Sequence, residues 1–385
     1  MNRIILPIPV LVCLTAMAQS VTPVATGLNS PRGVVFGPGG SLYVAEAGLA
    51  GGNGSGVGLT GSITAINGPG SSHPDSRRIV TGLASAGDEG EVVGPDGVSV
   101  LGNGEIYVIM AGSTTAMQAG NPGIDASIAS QFGRLLKATP SGQSKVVADV
   151  GDFDFQWTAD HQNAGFAPQG QFPDANPYAV LALAGRQYVA DAGANTIDEV
   201  SSNGSVRILA FVPNPKLPAV QGGPPVITIS DAVPTCVAQG PDGNLYLGTL
   251  AFGANFARFG ANAPPFWKTL PPQSKVYRFD PNASSSIQFL SEANVWATGL
   301  NPITGCGFAP GGFYVTEFFT QQSGYTTGDV VRIAVNPDGT AGAHTAMGVG
   351  ALHEANGFAA GPDGSIYVSN YSTSAGIGQV VRVNQ

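Results

Sequence analysis

Two sets of positions gather the side chains of this chain that could do chemistry. One set follows a recurring Pro: Arg32, Asp96, Tyr178, Thr235, Ile303 and Asn356. The other comes three residues after a recurring Tyr: Glu46, Met110, Asp191, Thr249, Glu317 and Asn370. If both sets face one axis, carboxylate and amide oxygens converge there, an arrangement that suits a hard cation such as Ca2+. Glu46, Asp191 and Asn356 are the expected metal ligands. A cation in that place would polarise a carbonyl or ester, with Asp191 or Glu46 as general base. Without a cation, Arg32, Asp96, Tyr178, Asn356, Glu317 and Asn370 form a polar ligand-binding set. A structural role stays open too: Asp191 precedes Ala192, Gly193 and Ala194 and can hydrogen-bond its own turn.

Other chemistries find little footing. The four histidines, His73, His161, His344 and His353, lack metal-site spacing. No Gly-x-Ser-x-Gly elbow occurs, and the glycines between Gly48 and Gly61 open no helix that would make a phosphate loop. The acidic runs Asp88, Glu89, Glu91 and Asp152, Asp154, Asp160 with His161 lack EF-hand spacing and read as solvated loop charge. A net charge of −9 argues against nucleic acid and against an anionic membrane surface.

The elements that must position these residues come from one phrase written six times. It reads Pro-x-Gly-Val, a Gly-Pro-Asp-Gly type turn, then Leu-Tyr-Val-Ala. The copies start at Pro31, Pro95, Pro177, Pro234, Pro302 and Ala355 and reach Tyr43, Tyr107, Tyr188, Tyr246, Tyr314 and Tyr367. A period of this kind, with two further strands per copy, predicts an all-β, six-bladed propeller of four-stranded antiparallel blades. Strands a to d run from the axis outward. In the fourth copy, residues 287–291 are the expected strand d. The sixth copy has no strand d before the chain ends. Val21 to Leu28 is spare, so the N-terminal strand is expected to complete the last blade and close the ring.

Long insertions fall only in b–c connections (47–61, 111–133, 249–274, 318–328) and d–a connections (151–176, 211–233). Those connections share one face of a propeller, which marks that face as the working one. Aromatics crowd them: Phe153, Phe155, Trp157, Phe166 and Phe172 in one insertion, Phe252, Phe256, Phe259, Phe266 and Trp267 in another, and Phe318, Phe319 and Tyr325 in a third. They either fold the loops down or line a cup for a ring-containing ligand or a protein partner.

The ends and the cysteines bear on compartment. Arg3, an apolar run to Ala16 and the sequence Ala16-Met17-Ala18 make a signal peptide over 1–18, leaving 19–385 as one propeller domain. The product is expected outside the cytoplasm, secreted or periplasmic. No later segment reaches the roughly 18 apolar residues of a membrane span. Cys236 and Cys306 sit two and four residues after their repeat Pro. That offset of about 7 Å, added to the gap between blades, exceeds disulfide reach, so two buried thiols are expected.

The segments 30–38 and 42–48, Ser-Pro-Arg-Gly-Val-Val-Phe-Gly-Pro and Leu-Tyr-Val-Ala-Glu-Ala-Gly, resemble the ScyD/ScyE family. These are exported proteins named from the scytonemin gene cluster of cyanobacteria and found in other bacteria. The resemblance extends over nearly the whole mature chain and implies a six-bladed propeller outside the cytoplasm, with no established catalytic residues to carry over. Residues 188–197 also resemble the NHL repeat of six-bladed propellers. Related SMP-30/gluconolactonase-like propellers hold an axial Ca2+ through Glu, Asn and Asp. Glu46, Asn356 and Asn370 occupy comparable places, while Met110, Ile303 and Thr249 interrupt the ring. The function expected first is therefore binding, by a monomer, of a small aromatic or apolar ligand or another exported protein on the insertion-bearing face. The alternative is a Ca2+-dependent hydrolase or lactonase.

Overall fold

Each copy of the phrase folds as two adjacent strands because its halves are β-branched and aromatic runs separated by Gly, Pro and Asp turn residues. The computed structural model describes residues 20–88, 91–162, 173–215, 231–251 and 271–384. Six small sheets result. Blade 1 runs outward as Pro31–Phe36, Leu42–Glu46, Gly56–Asn67 and Asp75–Asp88, with Glu91–Val93 folded back on the last. Blade 2 is Pro95–Val100, Ile106–Met110, Arg134–Ala138 and Ser144–Asp149. Blade 3 is Pro177–Leu183, Arg186–Asp191, Thr196–Ser201 and Val206–Phe211. Blade 4 is Pro234–Gln239, Leu245–Thr249, Ser274–Phe279 and Val295–Leu300. Blade 5 is Ile303–Ala309, Gly312–Glu317, Gly328–Val335 and Ala341–Leu352. Blade 6 is Asn356–Ala360, Ile366–Asn370 and Gly378–Val383, and Val21–Leu28 is its outer strand.

The ring closes as a six-bladed propeller. Val21 pairs with Val383 and Leu28 with Gly378, so the two ends of the chain share one blade. Each innermost strand packs on the next, and Asn356–Ala360 packs on Pro31–Phe36. The Gly of the phrase permits that crowding. A Cβ at Gly357 would stand 2.5 Å from the Arg32 carbonyl oxygen, and one at Gly33 2.9 Å from that of Asp96. Hydroxyls then tie blade to blade: Thr235 Oγ1 donates to the Ile303 carbonyl at 2.6 Å, Thr304 Oγ1 to Ala355 at 2.8 Å, and Ser369 Oγ to Arg32 at 2.6 Å.

Three sequence expectations need correction. The outer strand of blade 4 is Val295–Leu300, paired with Ser274–Phe279, and not 287–291. Gln288–Phe289 pairs instead, parallel, with the outer strand of blade 3. The physical reason lies in Gly299, at φ 75°, which lets Thr298-Gly299-Leu300 turn into the next blade as Thr26-Gly27-Leu28 does with Gly27 at φ 71°.

Second, blade 5 is in a different register. Ile303 lies opposite Glu317, as Pro31 lies opposite Glu46 and Pro234 opposite Thr249. The fifth copy therefore counts from Ile303, and the residue that follows, Thr304, takes the axial place assigned to Ile303. Third, Cys236 and Cys306 form a disulfide, with their Cα atoms 5.7 Å apart. The same register explains it: the two cysteines are offset by one residue along neighbouring inner strands, which brings them within reach.

The expected signal peptide, residues 1–18, and the aromatics Phe166, Phe172, Phe252, Phe256, Phe259, Phe266 and Trp267 lie outside the described residues. No helix among the described residues is long and apolar enough to cross a membrane.

Candidate functional site at the propeller axis

The second residue of the first strand in five blades, and Asn356 in the sixth, form one ring of polar side chains. It reads Arg32, Asp96, Tyr178, Thr235, Thr304 and Asn356, all buried. The ring lies where the d–a connections enter, beneath the insertion-bearing face. With Thr304 in place of Ile303, no apolar residue interrupts it. Asp96, Tyr178, Thr235, Thr304 and Asn356 line a narrow axial cavity of about 80 Å³, room for a few water molecules.

Electrostatics divide the ring. The Arg32 Nη2 donates to the Val92 carbonyl at 2.7 Å and lies 3.7 Å from the Glu91 carboxylate. Its Nε stands 3.9 Å from Asp96 Oδ1, an ion pair longer than a hydrogen bond. Both of those atoms are buried without a hydrogen-bond partner. Burial pushes the Asp96 carboxyl up to about 7, against the opposing pull of the Arg32 charge. Burial likewise raises the Tyr178 phenol, whose oxygen accepts from Asn356 Nδ2. The Asn356 Oδ1 is taken by the Gly357 N–H at 2.7 Å.

The second set of positions does not face the axis. Each of its polar members fastens backbone or strand within its own blade. Glu46 accepts from the Asn29 N–H at 2.7 Å, from Ser62 and Thr64, and from Arg78 through two nitrogens. Asp191 Oδ1 accepts from the N–H groups of Asn176, Gly193 and Ala194 at 2.8 to 2.9 Å. Glu317 receives the Asn301 N–H at 2.7 Å and its side-chain amide at 2.6 Å, and Asn370 Oδ1 receives the His353 N–H at 2.6 Å. Thr249 bonds the Lys275 backbone, and Met110 is core. The common feature is an acceptor at the end of strand b that meets the N–H just before strand a.

The expected Ca2+ ligands therefore do not fit one ion. Glu46 is saturated by Arg78 and neutral donors, Asp191 holds the strand entry of blade 3, and only Asn356 is axial. Among the described residues no group of three or more His, Cys, Asp or Glu has the arrangement to hold a metal ion. Of the expected ligand-binding residues, Arg32, Asp96, Tyr178 and Asn356 come together; Glu317 and Asn370 do not join them.

The acidic loop runs also separate. Glu91 faces Arg32, while 89 and 90 lie outside the described residues. Asp152 accepts from the Thr115 N–H at 2.9 Å, and Asp160 from Gln156. Asp154 turns inward and is buried against Asp191 and Asp198. Asp198 is a site residue that motif reasoning passes over. Its signal is a carboxylate inside the strand Thr-Ile-Asp-Glu-Val, where solvent-facing alternation is absent.

No family model matches the chain, and no curated protein matches its sequence. Solved structures do match in fold. The chain is similar to a putative oxidoreductase (glucose dehydrogenase) from Thermus thermophilus, with 14% identity and a TM-score of 0.54 over 94% of this chain and 99% of that one. It is similar to a glucose dehydrogenase at 13% identity and TM-score 0.52, over 95% and 99%. The PQQ-bound aldose sugar dehydrogenase from Streptomyces coelicolor gives 12% and 0.50, over 95% and 98%. At these identities the likeness establishes the propeller fold.

Proposed function

We propose that the protein is an exported, ScyD/ScyE-like binding propeller whose axial ring takes the polar end of a small ligand. The observation that carries this reading is the pair Arg32 Nε and Asp96 Oδ1, buried, unpartnered and 3.9 Å apart. Leaving both unsatisfied costs about 1–3 kcal/mol each. A group that accepts from Arg32 and donates to Asp96 relieves both, and a hydroxyl or a primary amide does so. Water can make the same two bonds, so the ligand's group must replace it. The aromatics that the sequence gathers in the insertions are the side chains expected to grip an apolar or aromatic remainder. The hydrolase alternative loses support, because Glu46 is spent on Arg78, hydroxyl and backbone contacts and Asp191 holds backbone through Oδ1, neither of them on the axis.

The test is a thermal-shift panel of phenols, aryl alcohols and benzamides on the mature protein, with Arg32→Met in parallel. Hits that stabilise wild type and not Arg32→Met support the reading. Hits that stabilise both equally would place recognition elsewhere and overturn it.

A further inference from the structure

Outside the axial ring lies a second buried polar cluster, with no cation in it among the described residues. Helix Gly151–Asp160 lies in the insertion between blades 2 and 3, and its Asp154 is fully buried. Thr196 Oγ1 stands 3.5 Å from Asp154 Oδ2 and 3.2 Å from Asp198 Oδ2, so one hydroxyl joins the helix carboxyl to blade 3, and Asp198 and Asp191 are the charges that act on Asp154. Those two share a face of blade 3 with Thr196, which stands opposite Asp191 and donates to Asp198 at 3.2 Å. One oxygen of each carboxyl, Asp154 Oδ1, Asp191 Oδ2 and Asp198 Oδ1, is buried and unpartnered. Three charged carboxylates in contact and out of water repel strongly, so such a cluster persists only by sharing protons or by holding a cation. Its arrangement is not that of a metal site.

We propose that this helix is a proton-held latch: Asp154 docks on Asp191 and Asp198 while the three carboxyls share protons, and alkaline pH releases it. The connection to the axis runs through hydrogen bonds. Thr158 of the helix receives the Asp174 N–H at 3.0 Å and donates to the Asp174 carbonyl at 2.9 Å. Asp191 holds the Asn176 N–H, and Tyr178 follows two residues later. Release of the helix therefore loosens the approach to Tyr178, and to that extent the functional consequence rests on the binding reading above. The docking step does not.

Among the described residues, the charges around the helix do not neutralise the cluster. Asp174 faces Asp191 and is itself pushed up to about 6 by burial. Asp231, raised in the same direction, repels Asp174. Arg134 is drawn to Asp149 and Asp152 at the helix start, and His161 at its end stacks on Trp157 at 4.6 Å. The acids of the cluster all sit above their usual range, with burial as the first cause and, for Asp154 and Asp198, a neighbouring carboxylate adding to it. A folded state that holds protons the unfolded state has lost is stabilised in acid, and that contribution falls as pH rises.

Hydrogen exchange of peptides covering 151–160, corrected for intrinsic rates, tests the latch on EDTA-treated mature protein without any ligand. Wild type should lose roughly tenfold or more of its protection between pH 6 and pH 9. Asp154→Asn should stay protected throughout, because its amide donates to both remaining carboxylates. Wild-type protection that does not change with pH overturns the proposal, as does a pH dependence that survives in Asp154→Asn. So does restoration of protection at pH 9 by one Ca2+ per chain, which would make the cluster a cation site. Failure of the thermal-shift panel with an intact pH profile would leave the latch standing and remove only the axial reading.

Discussion

Arg78 grips Glu46 through two hydrogen bonds, Nε to Oε1 at 3.0 Å and Nη2 to Oε2 at 2.6 Å. The arginine comes from the outer strand of blade 1 and the glutamate from the end of its second strand. The same carboxylate holds the Asn29 N–H at the entry to the first blade. One side chain thus joins the chain's closing segment, the blade interior and the blade edge. Glu46→Ala should cost about 3 kcal/mol in urea unfolding, because it leaves buried donors unpaired. Elemental analysis should find no change in bound metal; loss of one ion would return Glu46 to a ligand role.

The Cys236–Cys306 bridge closes a loop of 70 residues between blades 4 and 5. Replacing both cysteines by alanine should lower stability by about 2–4 kcal/mol. Peptide mapping on protein isolated without reductant should recover the two cysteines as one linked pair. Free thiols at both positions would contradict the one-residue offset between their strands.

Asp96 supplies a pH signature. Its folded value of about 7 lies above the unfolded carboxylate range, so the folded state keeps a proton that the unfolded state loses. Its contribution is present in full below about pH 4 and declines as pH rises to about 7. Subtracting the melting profile of Asp96→Asn from that of wild type should reveal this decline. A carboxyl carbon resonance for Asp96 that titrates near pH 4 would show that Arg32 outweighs burial.

Gly357→Ala tests the crowded axis. The added Cβ meets the Arg32 carbonyl oxygen at 2.5 Å, backbone that cannot swing away. The variant should lose about 1–3 kcal/mol, while Gly102→Ala, with nothing near its Cβ position, should stay within about 0.5 kcal/mol of wild type.

Much of the fold is legible because the phrase repeats. The blades, their strand order and the closing role of Val21–Leu28 all follow from counting copies. Strand d of blade 4 is not so readily seen, because 287–291 is apolar enough to serve and the Thr-Gly-Leu ending at Leu300 must be compared with Leu28. Blade 5 hides its register behind a turn one residue shorter, so Thr304 and Cys306 fall one place from where spacing from Pro302 puts them. The axial residues Arg32, Asp96, Tyr178 and Asn356 are legible, since position after the repeat Pro determines where they point. Direction at the end of strand b is not. There the nearest unpaired N–H decides, and Glu46, Asp191 and Glu317 turn toward it. The contact of Asp154 with Asp198 joins an insertion helix to a strand of the following blade, and no local pattern encodes it.

In the proposed function, ligand recognition at the axis turns on the unpaired Arg32 Nε. A proton–nitrogen NMR spectrum of the arginine Nε groups, recorded while titrating the best stabilising compound, reads this directly. Arg32 Nε should show a saturable shift, with Arg78 Nε, already bound to Glu46, unmoved. Saturable binding that leaves Arg32 Nε in place would mean that the ligand is held elsewhere and that the axial ring is not its site.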